Sequence, residues 1–398
     1  MRRGSWHQFG DKSQKFIIEQ LQNGNGVGVI LSPRDISLRH ATEYAQRYHG
    51  FDTDVLIDLQ FYQPSFRNDN MDSYLVGPCR NLASPSNHIT DTDLATLTSE
   101  MYRINKDLAA DGLIAPALVY EAGRQDIIQR NEVLFHAAKQ VGDSLGIPTY
   151  ATVIVGRSAI SSDRTTFEVL SHATALDSDG YYYGFEFTAE RIPSQYDAVL
   201  RCCVGGITLA STGLPVLHAY AGPMALLSLA FGATGAAIGH FQNTWRFPRE
   251  RWETSNSGQG GGGDAPARLF SSNLWGTIIY PDEYSQFPPA LRAQVLTTSP
   301  FTSGISQNPP FITLSKWQAL KHLVFVIGTT VLSMALINDP RSRVNAVITL
   351  LQQAVSLHAS IPIRLADNTN SYQQTWLDAM QTILRERSDD YDFLAMVT

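Results

Sequence analysis

Carboxylates, aromatics and amides that follow short apolar runs are where this sequence could do chemistry. Asp58 closes one such run, and Gln60 and Tyr62 follow it at intervals of two. On an extended chain that spacing aims all three side chains the same way. The same arrangement recurs along the chain. Ser32, Arg34 and Asp35 follow residues 26–31, and Tyr120 and Glu121 end the stretch from 113. Arg157 follows 149–155, Glu186 and Glu190 close the run from 180, and Tyr220 follows 215–219. His240, Gln242 and Asn243 come after 235–239. Carboxylates accept hydrogen bonds, amides both donate and accept, and aromatic faces stack on flat rings. Together these types suit a pocket for a flat, hydrogen-bonding ligand.

Other chemistries lack their patterns. His240 has no histidine partner at metal-ligand spacing, and the cysteines Cys79, Cys202 and Cys203 form no Cys-x-x-Cys pair. Neither a bound metal nor a cofactor is expected. No glycine-rich phosphate loop and no nucleophile-elbow serine occurs, and the glycines at 260–263 read as part of a linker. Arg34 beside Asp35 reads first as an ion pair.

The runs that carry these residues are short and rich in β-branched or aromatic side chains, and longer amphipathic stretches alternate with them. That alternation is the mark of βα units around a parallel sheet. Strands are expected at 26–31, 54–61, 113–120, 149–155, 180–187, 215–219 and 235–239, with an eighth at 276–280. Helices are expected at 38–48 and 125–145, the second stopped by Gly146 and Pro148. The reading is an α/β fold, a TIM-type (β/α)8 barrel over residues 1–290, with a helical C-terminal appendage over 315–398. Ligand sites of such barrels lie at the C-terminal ends of the strands, where the residues above fall. A polar insertion at 63–88 and a Gly/Ser-rich loop at 255–265 interrupt the pattern. Trp317, Tyr372 and Trp376 in the C-terminal segment are of the types enriched at the centres of protein interfaces.

Composition narrows the partners. The formal charge is −7, which argues against a chain built mainly to coat nucleic acid. Sparse cysteine suits a reducing, cytoplasmic setting. The basic N-terminus lacks the apolar core of a signal peptide. The apolar stretch 320–337 reads as a buried helix rather than a membrane span.

Several segments resemble the tRNA-guanine transglycosylases, barrels that exchange guanine for a 7-deazaguanine. That family's second-strand motif, a hydrophobic pair then Asp-Ser-Gly-Gly-Phe/Tyr-Gln, resembles residues 55–63 here, with Asp58, Tyr62 and Gln63 retained. Its Gly-Tyr-x-x-Gly-Gly run resembles 180–185, and its downstream Glu falls near Glu190. Its late Gly-(Ile/Val)-Asp-(Leu/Met)-Phe-Asp-Cys motif resembles 232–238. The resemblance implies a base pocket built from Asp58, Gln60, Tyr62, Tyr120, Glu121, Gly184, Phe185, Glu186, His240 and Gln242.

The departures are as informative. The family's nucleophilic Asp falls on Ala237, and its base-recognising Asp is replaced by Tyr120 beside Glu121. The Gln of its Val-Gln-Gly run is missing at Val155-Gly156, and no Cys3His zinc cluster exists. This profile is similar to the transglycosylase-like accessory proteins of type IV CBASS anti-phage operons. That resemblance implies a remodelled barrel that binds a protein partner, the operon's cyclic-nucleotide synthase (a CD-NTase type cyclase), in a pathway linked to 7-deazaguanine protein modification. The alternatives are an active base-exchange enzyme on DNA or RNA, and a non-catalytic scaffold.

Overall fold

The computed structural model describes residues 1–398 apart from 64, 65, 67, 75–88, 188–191, 248, 253–265, 367–370 and 398. Eight parallel strands form one sheet: β1 (Gly4–Gln8), β2 (Gly28–Leu31), β3 (Asp54–Ile57), β4 (Leu113–Ile114), β5 (Thr149–Val155), β6 (Gly180–Phe185), β7 (Val216–His218) and β8 (Gly235–Gly239). Their order is β3-β2-β1-β8-β7-β6-β5-β4. The two ends meet where Asp111 N–H donates to the Val55 carbonyl at 3.0 Å, while its carboxylate accepts from Val55 N–H at 2.7 Å. The fold is a (β/α)8 barrel.

Two strand expectations are corrected. The run 276–280 is not a barrel strand: it is β10 (Gly276–Tyr280), paired antiparallel with β9 (Ala267–Ser271) in a separate hairpin. The barrel's remaining strand is instead N-terminal β1, which lies between β2 and β8. Its sequence, GSWHQ, has polar residues on both faces, so no apolar period announces it, yet all five residues are buried. The third expected strand is also interrupted. After Ile114 the chain leaves the ladder at Pro116 and returns at Tyr120, which bridges Val155. Asn131 satisfies the gap, its side-chain amide exchanging hydrogen bonds with Leu118 N–H (2.8 Å) and C=O (3.0 Å).

Helices follow the strands in turn: α1 (Gln14–Gln22), α2 (Leu38–His49), α3 (Asp91–Asp107), α4 (Gln125–Leu145), α5 (Asp163–Ala175), α6 (Tyr196–Ala210) and α7 (Ala225–Ala230). The helix that completes the ring comes late. After β8 the chain makes the β9–β10 hairpin, and only then α8 (Lys316–Ala335), which lies on β1 and β8. Gly328 lets α8 approach closely, since a Cβ there would stand 2.2 Å from Asn25 Oδ1. Asn25 donates to the Val324 carbonyl and Gln20 to that of Lys321, at 3.2 and 2.9 Å. By length and composition α8 could cross a membrane, but Leu323, Val324, Ile327 and Val331 are buried in the barrel's outer core.

The C-terminal segment continues as α9 (Pro340–Ala359), α10 (Ser371–Glu386) and α11 (Ser388–Val397). Trp376 and Tyr372, of types enriched at interfaces, are buried within the chain. The Trp376 indole donates to the Pro193 carbonyl at 2.8 Å and the Tyr372 hydroxyl to that of Trp275 at 2.6 Å. Trp317 remains 51% exposed.

The barrel interior is stacked in layers. At its floor Trp6, Leu56, Tyr150 and Leu217 come from the odd strands, and the even side supplies glycines. A Cβ on Gly28 or Gly235 would strike the Trp6 ring, and one on Gly112 or Gly180 the Tyr150 ring. Two residues on, the even strands contribute Ile30, Ile114, Tyr182 and Ala237, and the odd strands then contribute Gln8, Asp58, Thr152 and Ala219. This alternation is the packing rule of such barrels. What is particular here is that the uppermost of these layers holds an amide, a carboxyl and a hydroxyl.

Candidate functional site at the barrel mouth

Asp58 is 2% exposed and sits among three phenols. Its Oδ2 accepts from the hydroxyls of Tyr62 (3.0 Å), Tyr220 (3.2 Å) and Tyr182 (3.3 Å), and its Oδ1 from Gln60 N–H (2.9 Å). Burial disfavours the charged form and pushes the carboxyl up to about 6, against the pull of the Gln60 N–H and the three hydroxyls. Burial, followed by the Asp58 charge, raises all three phenols well above their ordinary value. The network extends outward. Tyr182 also reaches Gln8 Oε1 (3.1 Å), and Ser32 Oγ reaches Asp35 Oδ2 (2.7 Å) and Gln60 Oε1 (3.1 Å).

A segment after β8 folds back over this network. Thr244 fills the space above Gly239, where a Cβ would stand 1.8 Å from its hydroxyl, and Trp245 donates to the Gly239 carbonyl at 3.1 Å. Phe247 and Trp252 stack on each other with centroids 5.1 Å apart. Tyr62 meets both edge-on, at 4.8 and 5.1 Å, and Tyr220 lies 5.6 Å from Phe247. Charge fixes the cap at two further points. Arg251 donates to both oxygens of buried Asp35, at 2.8 and 2.7 Å. Arg249 bridges Glu186 (2.7 Å) and Glu121 across the other side of the mouth.

Six of the expected pocket residues meet at this mouth: Asp58, Gln60, Tyr62, Glu121, Gly184 and Glu186. Gly184 faces inward, with Ile154 and Ala219 where its Cβ would be. Glu186 is tied to Arg157 as well as Arg249, and burial raises its pKa despite them. Phe185 and Tyr120 do not face the pocket. Phe185 shares the outer face of β6 with Tyr183, edge to face at 4.8 Å, and Tyr120 packs in the same outer core. His240 also lies outside, its ring stacked on His7 at 5.4 Å and on Phe16 of α1 at 5.8 Å. The Gln242 side chain and Glu190 fall outside the described residues.

Sequence reasoning missed Gln8, because β1 was not foreseen, and it missed the cap. The signal for the cap was present in the run WRFPRER followed by Trp252, where basic and aromatic residues crowd together just past a strand end. Ala237, where the transglycosylase nucleophile would fall, is fully buried in the layer beneath Asp58, and the next inward position on β8 is Gly239. Among the described residues no group of three or more His, Cys, Asp or Glu is placed to hold a metal ion.

No family model matches the chain, and no curated protein does. Solved structures similar in fold include thiamine phosphate pyrophosphorylase from Pyrococcus furiosus, 12% identical, with a TM-score of 0.32 over 63% of this chain and 91% of that one. N-acetylneuraminate lyase from Mycoplasma synoviae is 12% identical, with a TM-score of 0.33 over 61% and 70%. The 3-dehydroquinate dehydratase from Aquifex aeolicus is 11% identical, with a TM-score of 0.33 over 64% and 96%. Similarity at this level says nothing of substrate or activity.

Proposed function

We propose that this chain is a transglycosylase-like barrel that binds a flat, guanine-like base at its mouth and has given up ribosyl exchange. The observation that carries the reading is Asp58. It is an inward-facing carboxyl at a barrel strand end, ringed by Tyr62, Tyr182 and Tyr220 and roofed by Phe247 and Trp252. A base at this carboxylate donates its N–H groups to it and stacks on the surrounding aromatic rings. Exchange through a covalent ribosyl intermediate needs a carboxylate nucleophile. Ala237 offers none, and Glu121 and Glu186 are held by Arg249. The resemblance to the CBASS accessory proteins then supplies the setting: a protein partner of the CD-NTase cyclase type, in defence linked to 7-deazaguanine chemistry.

Calorimetric titration of the purified protein with guanine and 7-cyano-7-deazaguanine tests the pocket. Binding is expected for the wild type and weakening by about 1–3 kcal/mol in Asp58→Ala, the range for removing one partner of a buried polar pair. Undiminished binding by that variant would refute the assignment. Radiolabelled guanine should not enter tRNA or duplex DNA, and robust incorporation would restore the exchange-enzyme reading. Co-purification from the native host should recover the cyclase, and its absence would count against the partner.

A further inference from the structure

We infer that the cap side of the barrel mouth is an oxyanion site, built by Arg251, Arg34 and Trp252, that takes the phosphate of a small phosphorylated ligand. The inference rests on the mouth being a ligand pocket, but it draws on different residues from those that would hold the base. Arg251 and Arg34 converge on a single carboxylate. Arg251 reaches both Asp35 oxygens, and Arg34 Nη1 reaches Asp35 Oδ1 at 3.2 Å. Among the described residues no second carboxylate contacts either guanidinium, so the trio carries one positive charge in excess. Its burial makes that excess costly: the Arg251 side chain is 6% exposed, that of Arg34 22% and that of Asp35 1%. A buried charge is expected to find a partner or to bind one.

The unused hydrogen-bonding capacity has the same sign. Arg251 Nε and Nη1 are buried with no partner among the described residues, and so is Trp252 Nε1. Arg34 spends Nε on the Arg251 carbonyl at 3.0 Å and Nη1 on Asp35, which leaves its Nη2. Each of these atoms is a donor, and a guanidinium or indole N–H cannot act as an acceptor. A ligand that completes the site must therefore bring acceptors, and an excess positive charge selects an anionic group. Two guanidiniums brought together on Asp35, with further N–H donors left over, match the several oxygens of a phosphate better than the two of a carboxylate. Tyr220 and Gln60 connect this trio to Asp58, since Gln60 Oε1 accepts from Ser32 Oγ while its Nε2 donates to the Tyr220 hydroxyl at 3.2 Å. A base on Asp58 and a phosphate on the arginines would thus be two parts of one nucleotide-sized ligand.

The test uses the full chain and inorganic phosphate, with thermal unfolding followed at constant ionic strength set by sodium chloride. Phosphate should raise the midpoint saturably, and acetate at equal concentration should not. Arg34→Gln, which alters the more exposed partner, should weaken the phosphate effect by about tenfold, as should Arg251→Lys, which keeps the charge but loses the planar fork. Guanosine 5′-monophosphate should bind more tightly than guanine or phosphate alone. No saturable effect beyond that of chloride, equal effects of acetate and phosphate, or an effect unchanged in both variants would each overturn the site. Guanine is titrated separately without phosphate. Base binding with no phosphate effect sinks the oxyanion site alone, and a phosphate effect with no base binding sinks the base pocket alone.

Discussion

Gln60 and Tyr220 stand 160 residues apart in sequence, and the Gln60 amide donates to the Tyr220 hydroxyl at 3.2 Å. Both have left-handed backbones, at φ 57° and 52°. Such a conformation costs a side-chain-bearing residue energy, and it collects at ligand sites where the surroundings over-determine it. Here it turns Gln60 N–H back onto Asp58 and sets the Tyr220 ring beside the cap. Two strained strand ends thereby aim at one carboxyl.

That carboxyl gives the protein an unusual pH signature. Asp58 is pushed up to about 6 from 3.8, so the folded form keeps its proton where the unfolded form has lost it. Stability from this group is complete below about pH 4 and falls as pH rises to about 6, by roughly 3 kcal/mol. Urea unfolding across that range should show the fall in the wild type relative to Asp58→Asn. Parallel curves for the two proteins would show that Asp58 titrates normally.

His7 works in the opposite sense. It is buried outside the barrel wall with Nε2 on the Asn25 carbonyl at 2.7 Å, and burial lowers its pKa from 6.5 to about 4. The unfolded chain takes up a proton first as pH falls, so stability is lost between about pH 6.5 and 4, by roughly 3 kcal/mol. His7→Gln, whose amide can still donate to Asn25, should lose less over that interval. An identical acid loss in wild type and variant would exclude His7 as a cause.

At the barrel floor, Gly28→Ala would bring a Cβ to 2.1 Å from the Trp6 ring. Overpacking of this kind costs about 1–3 kcal/mol. The cost should shrink when Trp6→Phe is added, because the two sites share one space. Additive effects in denaturant unfolding would contradict the contact.

Arg251→Met should cost about 3 kcal/mol, since it removes the main partner of a buried carboxylate. Adding Asp35→Asn should recover much of that loss. A double variant as unstable as the sum of the two single ones would rule out a direct pair.

The parts of the fold that were legible in the sequence were those governed by apolar period. Residues 149–155 and 235–239 read as strands and are strands, and helix 125–145 holds to the residue, closed by Gly146 at φ 69°. β1 was illegible because His7 and Gln8 look like surface residues, while in the fold one faces the helix layer and the other the barrel centre. At the site, Asp58 with Gln60 and Tyr62 was readable from spacing alone. Phe185 was misplaced although the same period of two puts it on the face of Tyr183, opposite Tyr182. The cap could not be read from period at all, since Phe247, Arg249, Arg251 and Trp252 act from an irregular segment whose partners lie on distant strands.

Barrel closure has a consequence for synthesis on the ribosome. β1 is made more than 200 residues before its neighbour β8, and α8, which covers both, comes later still. Contacts so distant in sequence form slowly, and until they form the unpaired edge of β1 can join another chain. The β9–β10 hairpin adds to the wait, because it delays the covering helix without shortening the path. A nascent chain halted before α8 would therefore present β1 uncovered, which makes this protein a natural client for chaperones that shield unpaired strands during translation.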